Sequence, residues 1–380
     1  MRKIILSVLL ALIFATGAFL YLRGPRLSAP TPLDTPHHLE FDFAVYYPHD
    51  PPAGLMEKAQ SAIDAQPGPY KWPRTSQVND DGLYLEVTPR SKYPPPKESS
   101  LEYFGRGLAP TDAAELQRST QVLVLHFACN IPSDFLYAEA AERLVHQIAV
   151  DSRGLIWDES TRLLYSPEYF DETVLQHWQD HLPSLRRELA VHLYQDGEFL
   201  RAISLGMEKF GLPNLVVNQV TRSDGNSAVS LITIAAQQMI EAMPTIPQSP
   251  FHANLSSLRH RDVKKWMQES LLAGAAPDAM IHLAPTAAQD GDPQGPLYEI
   301  TFEGEAGNTL QERQNSLIAR FFGSKDSIVT VRHDQALLDL SAKSRDKLKL
   351  LKPHFLAGLL PGEQLLVKGP FTSGEHHEWM

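Results

Sequence analysis

His177 and His181 are four positions apart in the sequence, and Asp180 lies between them. In a helix this spacing places both imidazoles on one face, which is the arrangement that zinc-binding helices use. The surrounding pattern predicts a helix from about residue 171 to residue 182, ended by Pro183. No glutamate follows the first histidine, and the spacing places no third ligand. We therefore expect two solvated histidines and assign no metal ligand and no cofactor.

Cys129 is the single cysteine of the chain. It cannot form an internal disulfide, and it would act as a nucleophile only if a base activated the thiol. His126 lies three positions away, in an apolar run that predicts a strand over residues 121–129. An odd spacing in a strand points two side chains to opposite faces of the sheet. Cys129 is therefore predicted to be a small buried side chain.

Further polar groups lie near the carboxyl end. Ser344 and Lys347 match a serine–x–x–lysine pattern, but a pattern this short arises often by chance. They lie in a predicted helix over residues 333–351, whose basic second half suits the helix dipole. Three polar residues of a predicted strand follow Lys368, namely His376, His377 and Glu378. We expect them on an outward, solvated strand face, so the catalytic residues remain unknown.

The chain is acidic, with 34 basic against 45 acidic side chains and a net charge of −11. Residues 1–26 hold four of the basic residues and none of the acidic ones, so residues 27–380 carry 30 against 45, a net charge of −15. Such a body is repelled by phosphate backbones and by anionic lipid heads. The sequence shows no basic stripe with interleaved aromatic residues. We therefore expect no nucleic-acid partner.

The amino-terminal segment has the length and character of a membrane span. Residues Ile4 to Leu22 carry no charge. Nineteen helical residues at 1.5 Å each reach about 28 Å, close to the hydrocarbon core of a bilayer, which is about 30 Å thick. A cleaved signal is the alternative, because Thr16-Gly17-Ala18 offers small residues for cleavage. Residues 1–26 are thus predicted to be a transmembrane anchor or a signal, and both place the remaining chain outside the cytoplasm.

Proline-rich stretches divide the remaining chain. Residues 27–39 predict an extended spacer between the membrane and the folded part. A second proline-rich gap, from Pro244 to Pro250, predicts an internal boundary. The sequence therefore predicts a first domain over residues 40–244 and a second domain over residues 251–380.

Strands and helices follow one another without a strict strand–helix–strand order, which predicts an α+β fold. We expect two domains with mixed, largely antiparallel sheets, each covered by helices on one face. The clearest hairpin runs from Leu189 to Leu205, because Asp196-Gly197 supplies the positive φ that a tight turn requires. Other predicted helices lie at about residues 55–65, 132–150, 228–243, 258–272 and 309–322, and other strands at about 41–47, 82–88, 215–220, 280–283, 297–302 and 328–331.

The last residues carry a more specific pattern. Pro361-Gly362-Glu363 leads into a predicted strand from Leu365 to Phe371, and a glycine turn leads into Glu375-His376-His377-Glu378-Trp379. Over about residues 340–380 this order resembles the bacterial family known as domain of unknown function 2314. That family has a helix, an F/L-x-V-K-x-P-F strand, a glycine turn and an E-H-x-W strand.

A second stretch, Gly206 to Pro213, is similar to the companion region of longer members of that family. The resemblance implies no activity and no site residue for this chain. Members continue for several strands beyond the position of Met380. The carboxyl-terminal segment is therefore expected to be either a truncated member of the family or a member whose carboxyl end pairs elsewhere.

These observations lead to two hypotheses of function, and binding fits the sequence better than catalysis. The first is a bacterial envelope protein that binds a protein or small-molecule partner. It would be anchored in the inner (cytoplasmic) membrane by Ile4 to Leu22 as a single-pass protein, with its folded part in the periplasm. The alternative is an envelope hydrolase, with or without a metal ion, that uses His177, Asp180 and His181. A purely structural role in the envelope stays open as well.

Overall fold

The computed structural model describes residues 31–323, except 34–37, 49–51, 69–70, 79, 110, 131–133 and 244–247, together with residues 346–347, 349, 352–353, 370–373 and 376–379. The described residues up to 323 belong to one compact unit, and those from residue 346 onward belong to another. The described part of the first unit contains two mixed six-stranded sheets with helices packed on them. The predicted α+β class is therefore confirmed.

The first sheet comes from the chain before residue 166. Its strands follow a two-residue strand, β1 (Thr31–Pro32), and are β2 (His38–Tyr46), β3 (Gly82–Pro89), β4 (Gly105–Arg106), β5 (Gln121–Asn130), β6 (Leu155–Asp158) and β7 (Leu163–Tyr165). Their order in the sheet is β3-β5-β2-β6-β7-β4. The pairing of β4 with β7 is parallel, and the other pairings are antiparallel.

Helices cover both faces of this first sheet. The first sheet and the helices of the chain up to residue 173 make up the first half of this unit. These helices are α1 (Leu55–Ala65), α2 (Glu98–Phe104), α3 (Asp112–Leu116), α4 (Leu136–Ser152) and α5 (Pro167–Thr173). Leu123 and Leu125 of β5 belong to the core that contains α1 and α4, whereas Val122 and Val124 pack with α2 and α3. Because both faces are buried, β5 is apolar at successive positions instead of alternating. The expectation of helices on one face only is wrong for this sheet.

The second sheet combines strands from both sides of the predicted boundary at Pro244 to Pro250. These strands are β8 (Ala190–Asp196), β9 (Phe199–Leu205) and β10 (Asn214–Val220), and, after the short strand β11 (Gln248–Ser249), β12 (Phe251–Asn254), β13 (Asp278–Pro285) and β14 (Leu297–Thr301). Their order is β12-β13-β14-β10-β9-β8. Asn214 of β10 pairs in parallel with Leu297 of β14. Strands before and after the predicted boundary therefore belong to one sheet.

One face of the second sheet packs on helices, and a loop lies over the other. The helices of this half are α6 (Leu185–Glu188), α7 (Gly225–Ala242), α8 (Arg261–Ser270) and α9 (Leu310–Phe322). Helix α7 is the central one, and its residues Leu231, Ile234 and Ala235 are fully buried. On the opposite face, Asp292 of the loop over residues 286–296 forms an ion pair of 2.6 Å with Arg201, and both side chains are 1% exposed. This pair fixes the loop over a small apolar cluster of the sheet.

The predicted hairpin is confirmed as the pair β8–β9, which pairs from Ala190 with Leu205 to Asp196 with Phe199. Gly197 has φ 62° and is the first residue of the two-residue turn. Glycine at this position is typical of a type II′ turn, whose twist matches that of the flanking strands. The turn therefore fixes the register of the β8–β9 pair.

The folded unit begins before the predicted end of the spacer at residue 39. Thr31 pairs with Ser249, so β1 and β11 form a small antiparallel ladder. His38 and Leu39 already belong to β2. In the second unit, β15 (Pro370–Ser373) pairs antiparallel with β16 (His376–Trp379), as the carboxyl-terminal pattern predicts.

The predicted anchor, Ile4 to Leu22, and the predicted helix over residues 333–351, apart from three of its residues, lie outside the described residues. Across the part of the chain that the structure describes, none of the helices combines the length and the apolar character that crossing a bilayer requires.

Gly206, at the end of β9, allows a sharp turn that a side chain would disturb. Its φ is +106°, and an added Cβ would lie 2.8 Å from the carbonyl oxygen of Glu188. We expect Gly206→Ala to lower the free energy of unfolding by about 2 kcal/mol or more, because strained backbone and steric overlap add. Gly197→Ala is the control, since nothing lies within 4 Å of its added Cβ, and it should cost only about 1 kcal/mol. Urea unfolding of both variants measures the difference, and equal losses would contradict this account.

Candidate functional site

The predicted helix over residues 171–182 is wrong, and the histidine pair is separated as a result. Helix α5 ends at Thr173, and the three-residue 3-10 turn that follows ends at His177. Asp180 and His181 both have positive φ, 51° and 62°, which no helix tolerates. Trp178 instead turns inward and donates its indole N–H to Glu142, at 2.9 Å. This buried hydrogen bond explains why tertiary packing overrides the local helical pattern.

Each imidazole of the histidine pair contacts a different carboxylate. His177 Nδ1 lies 2.8 Å from an oxygen of Asp262, and His181 Nδ1 lies 2.7 Å from an oxygen of Glu139. Within the described residues, no three or more His, Cys, Asp or Glu side chains converge in a way that could hold a metal ion. The structure therefore does not bring His177, Asp180 and His181 together as one chemical group.

Cys129 lies in β5 and packs beside the core of the first sheet, but its side chain is half-buried and not fully buried as predicted. Burial, and then the nearby Asp81, raise the pKa of its thiol to about 11. The thiol is therefore protonated near neutral pH and is a poor nucleophile. His126 points away from it and pairs with Asp42 instead.

A buried ion cluster joins the two halves of the first unit. Lys209 follows β9, and its Nζ donates to three carboxylates that come from α4, the end of β6 and the end of α6. The distances are 3.1 Å to Glu142, 2.9 Å to Asp158 and 3.0 Å to Glu188. All four side chains are at most 3% exposed. The three ammonium protons are thus all bound.

The electrostatics of this cluster are those of a closed network. Burial alone would lower the pKa of Lys209, yet the three carboxylates raise it well above its ordinary value. Burial, and then the neighbouring Glu188, raise the pKa of Glu142 well above the range of an exposed acid. None of these four side chains lines the cleft around His126 or the cleft around His192, so we assign the cluster a structural role.

A first cleft, which we call the dyad cleft, has a volume of about 640 Å³ and is lined by His126, Asp42, Glu159 and Glu208, among others. His126 Nδ1 lies 2.9 Å from Asp42 Oδ1. This hydrogen bond is the main cause of a raised pKa of His126, against the effect of burial. Burial also raises the pKa of Glu208, although its carboxylate accepts a hydrogen bond of 2.7 Å from Asn214. Groups of this kind can exchange protons with a ligand.

A second cleft, which we call the arginine cleft, has a volume of about 580 Å³ and lies between the edge strands of the two sheets. The outer edge of β8 forms one wall. The other wall comes from β4, β7, α5 and the end of α2, and α6 contributes as well. Its polar and aromatic lining consists of Arg106, Arg186, Arg187, His192, Tyr103, Tyr165, Tyr169 and Tyr194. No carboxylate occurs in the lining that the structure describes.

The pKa shifts in the arginine cleft reflect its positive charge. Burial, and then Arg162 and Arg106, lower the pKa of His192. Burial, and then Arg187, lower the pKa of Arg186. The Arg186 guanidinium stacks on the Trp266 ring, with 4.7 Å to the ring centroid. This stacking holds one arginine in place while its N–H donors remain available to a ligand.

Sequence reasoning did not predict this cleft. The arginines belong to β4 and α6, which are far apart in the sequence, and the net charge of the chain hides them. The adjacent pair Arg186-Arg187 was the available signal, because a basic pair before a strand is uncommon in an acidic chain.

No protein family, no curated protein and no solved structure matches this chain.

Removing Lys209 should destabilise the fold. In Lys209→Met, the carboxylates lose their counter-charge in a buried site, and we expect the free energy of unfolding at pH 7 to fall by about 3–5 kcal/mol. The ammonium stabilises the fold fully below the ordinary lysine pKa and loses this effect only as pH rises through the raised pKa, so pH 7 shows the full change. Denaturant unfolding provides the measurement. The exposed Lys265→Met is the control, and equal stability of both variants would refute the assignment.

The Asp42–His126 dyad should control the titration of His126. In Asp42→Asn, we expect the pKa of His126 to fall, because the amide cannot stabilise the imidazolium. In the unmutated protein, the stabilisation from this pair is complete below the ordinary histidine pKa and disappears as pH rises through the raised value. NMR titration of the ring protons measures both. His146, whose pKa burial lowers, should be unaffected, and an unchanged His126 would contradict the prediction.

Proposed function

We propose that this protein is a binding module that holds an anionic partner in the arginine cleft. The observation that carries the proposal is the grouping of Arg106, Arg186 and Arg187 around one cleft without a carboxylate in its described lining. The chain as a whole has a net charge of −11. An acidic protein that gathers arginines in one place concentrates positive potential there, which raises the affinity for anions and their rate of association.

The contacts of the three arginines support binding by hydrogen bonds as well as by charge. Arg106 Nη1 donates to the carbonyl oxygens of Tyr103 and Gly105, at 2.8 and 2.9 Å. These bonds orient its guanidinium in the cleft wall. Within the described residues, none of the three arginines forms an ion pair with a carboxylate. Their remaining donors match the geometry of carboxylate, phosphate or sulfate oxygens.

The tyrosines give the cleft a second property. Tyr103 is 69% exposed and is the most exposed of the large apolar side chains in the described residues. Tyr165 and Tyr169 stand together, with 6.4 Å between ring centroids. Rings of this kind give contact area at a small entropic cost. The cleft therefore suits an anion that also offers flat or aliphatic surface.

A second candidate function is hydrolysis in the dyad cleft, and the Asp42–His126 hydrogen bond is the observation that favours it. A general base needs this type of oriented imidazole. Ser160 also lines the cleft. Its backbone N–H donates a hydrogen bond of 2.9 Å to Asp158 Oδ1. The titration of His126 in Asp42→Asn tests this candidate too, since an imidazole that does not respond to Asp42 is not oriented by it.

The place of action is part of the same proposal. The uncharged run from Ile4 to Leu22 supports attachment to the inner membrane, with the folded units in the periplasm. The resemblance of residues 340–380 to domain of unknown function 2314 stays a prediction and adds no activity. The pairing of β15 with β16 agrees with the hairpin that this resemblance implies.

Arg187→Gln should weaken anion binding. We expect about tenfold weaker binding of citrate and of inorganic phosphate at low salt, because one charge-assisted contact is lost. Calorimetry on the full-length protein in a mild non-ionic detergent measures the affinity. In the unmutated protein, a bound anion should also raise the pKa of His192, since it favours the imidazolium.

The control for this prediction is Arg313→Gln. Arg313 lies on α9 and does not line the cleft, so the substitution removes one positive charge elsewhere. If both variants bind citrate and phosphate as the unmutated protein does, or if His192 does not respond, the proposed function is wrong.

A further inference from the structure

The outer edge of β8 is open within the described part of the first unit. Strand β8 ends the order of the second sheet, and its one partner there is β9. The turn after Asp196 has two residues, so Asp196 and Phe199 form a hydrogen-bonded pair, and such pairs alternate along an antiparallel ladder. Tyr194 and His192 therefore also exchange hydrogen bonds with β9. The residues between them, Gln195, Leu193 and Val191, point their backbone N–H and C=O groups to the outer edge.

An open strand edge of this length is unusual. Proteins normally shorten or cover their edge strands, or place lysine or proline on them, because the free backbone groups pair with other chains. β8 has seven residues and carries neither proline nor lysine. Its side chain Leu193 is 38% exposed. Leu189 to Tyr194 all line the arginine cleft, so the cleft runs along this edge.

We propose that the arginine cleft binds an extended acidic peptide segment, which adds to the second sheet as a new strand beside β8. This inference rests on the proposed function and specifies the partner. The backbone groups of Val191, Leu193 and Gln195 form the ladder, and the arginines pair with acidic side chains. At about 3.3 Å per residue, the stretch from Val191 to Gln195 accommodates about five residues of the peptide.

The charge of the walls decides the character of the peptide. Arg186 and Arg187 stand beside the start of β8, and Arg106 lies in the opposite wall. Side chains of an added strand point alternately to the two sides. The acidic set would pair with the arginines, and the aliphatic set would pack against apolar and aromatic side chains of the cleft walls. A peptide of alternating acidic and aliphatic residues therefore fits both sides of the cleft.

A small anion would satisfy the arginines alone and would leave the edge of β8 unpaired. A single-stranded nucleic acid also carries negative charge, but its backbone has no N–H groups to donate to the carbonyl oxygens of Val191, Leu193 and Gln195. The strand edge thus separates a peptide from these other anionic ligands, and the experiment uses this difference.

The test measures binding of a short, fluorescein-labelled peptide of alternating aspartate and valine to the full-length protein by fluorescence polarisation. Two comparison peptides have the same sequence and carry N-methyl groups on alternate backbone nitrogens. In one phase the methylated nitrogens belong to the aspartates, and in the other phase they belong to the valines. N-methylation keeps the charge and removes the donors of one edge. We expect one phase to bind about tenfold more weakly than the plain peptide, because it loses the hydrogen bonds to β8. The other phase should bind nearly as well.

The protein side of the test uses Arg187→Gln, with Arg313→Gln as the control. We expect Arg187→Gln to weaken the plain peptide about tenfold, and a peptide of alternating lysine and valine to show no binding. Equal binding of both N-methylated phases, or tighter binding of a single-stranded oligonucleotide, overturns the strand-addition proposal. If citrate binding still depends on Arg187 in that case, the proposed function survives. If neither citrate nor peptide depends on Arg187, both proposals fail.

Discussion

The ammonium of Lys209 and its three carboxylates connect the two halves of the first unit. Glu142 and Asp158 belong to the half that contains the first sheet, whereas Glu188 and Lys209 flank β8 and β9 of the second. A buried ion pair is stabilising only when its hydrogen bonds are complete, and here every ammonium proton has an acceptor. Such a cluster disfavours other arrangements of the two halves, because any shift would leave a charge unpaired in a buried site.

This constraint also shapes the arginine cleft. Glu188 is the last residue of α6, so its bond to Lys209 fixes the helix that carries Arg186 and Arg187. The same cluster holds Asp158, which ends β6 beside β7 and the opposite wall. The distance between the walls is therefore set by a buried, hydrogen-bonded network. A preorganised site of this kind loses little entropy when it binds a ligand.

The two clefts differ in what their charges can do. The dyad cleft contains several carboxylates and one imidazole of raised pKa, which suits proton exchange. The arginine cleft contains guanidinium groups that cannot lose their protons under ordinary conditions, so it suits recognition. The loop over residues 286–296, which Arg201 holds through Asp292, contributes Pro293, Gln294 and Gly295 to the dyad cleft. Carboxylates thus outnumber basic groups in the dyad cleft, whereas the described lining of the arginine cleft contains arginines and no carboxylate.

Local chemistry in the sequence determined much of the architecture. The apolar run of β5, the hairpin around Gly197 and the helices predicted at about residues 132–150 and 228–243 all correspond to elements that the structure contains, because each depends on residues close in the chain. Opposite faces for His126 and Cys129 followed in the same way from the pleat of a strand. The uncharged segment from Ile4 to Leu22 is also a property of the sequence alone.

Tertiary structure decided the rest, since it depends on contacts between distant residues. Trp178 turns toward Glu142, so His177 and His181 do not share a helix face. Strands on both sides of Pro244 join one sheet, because parallel pairing of β10 with β14 buries both. Arg106 meets Arg187 only where two sheet edges approach each other. No local sequence pattern predicts these tertiary contacts, because their stabilising free energy comes from burial and charge pairing between segments that are distant in the sequence.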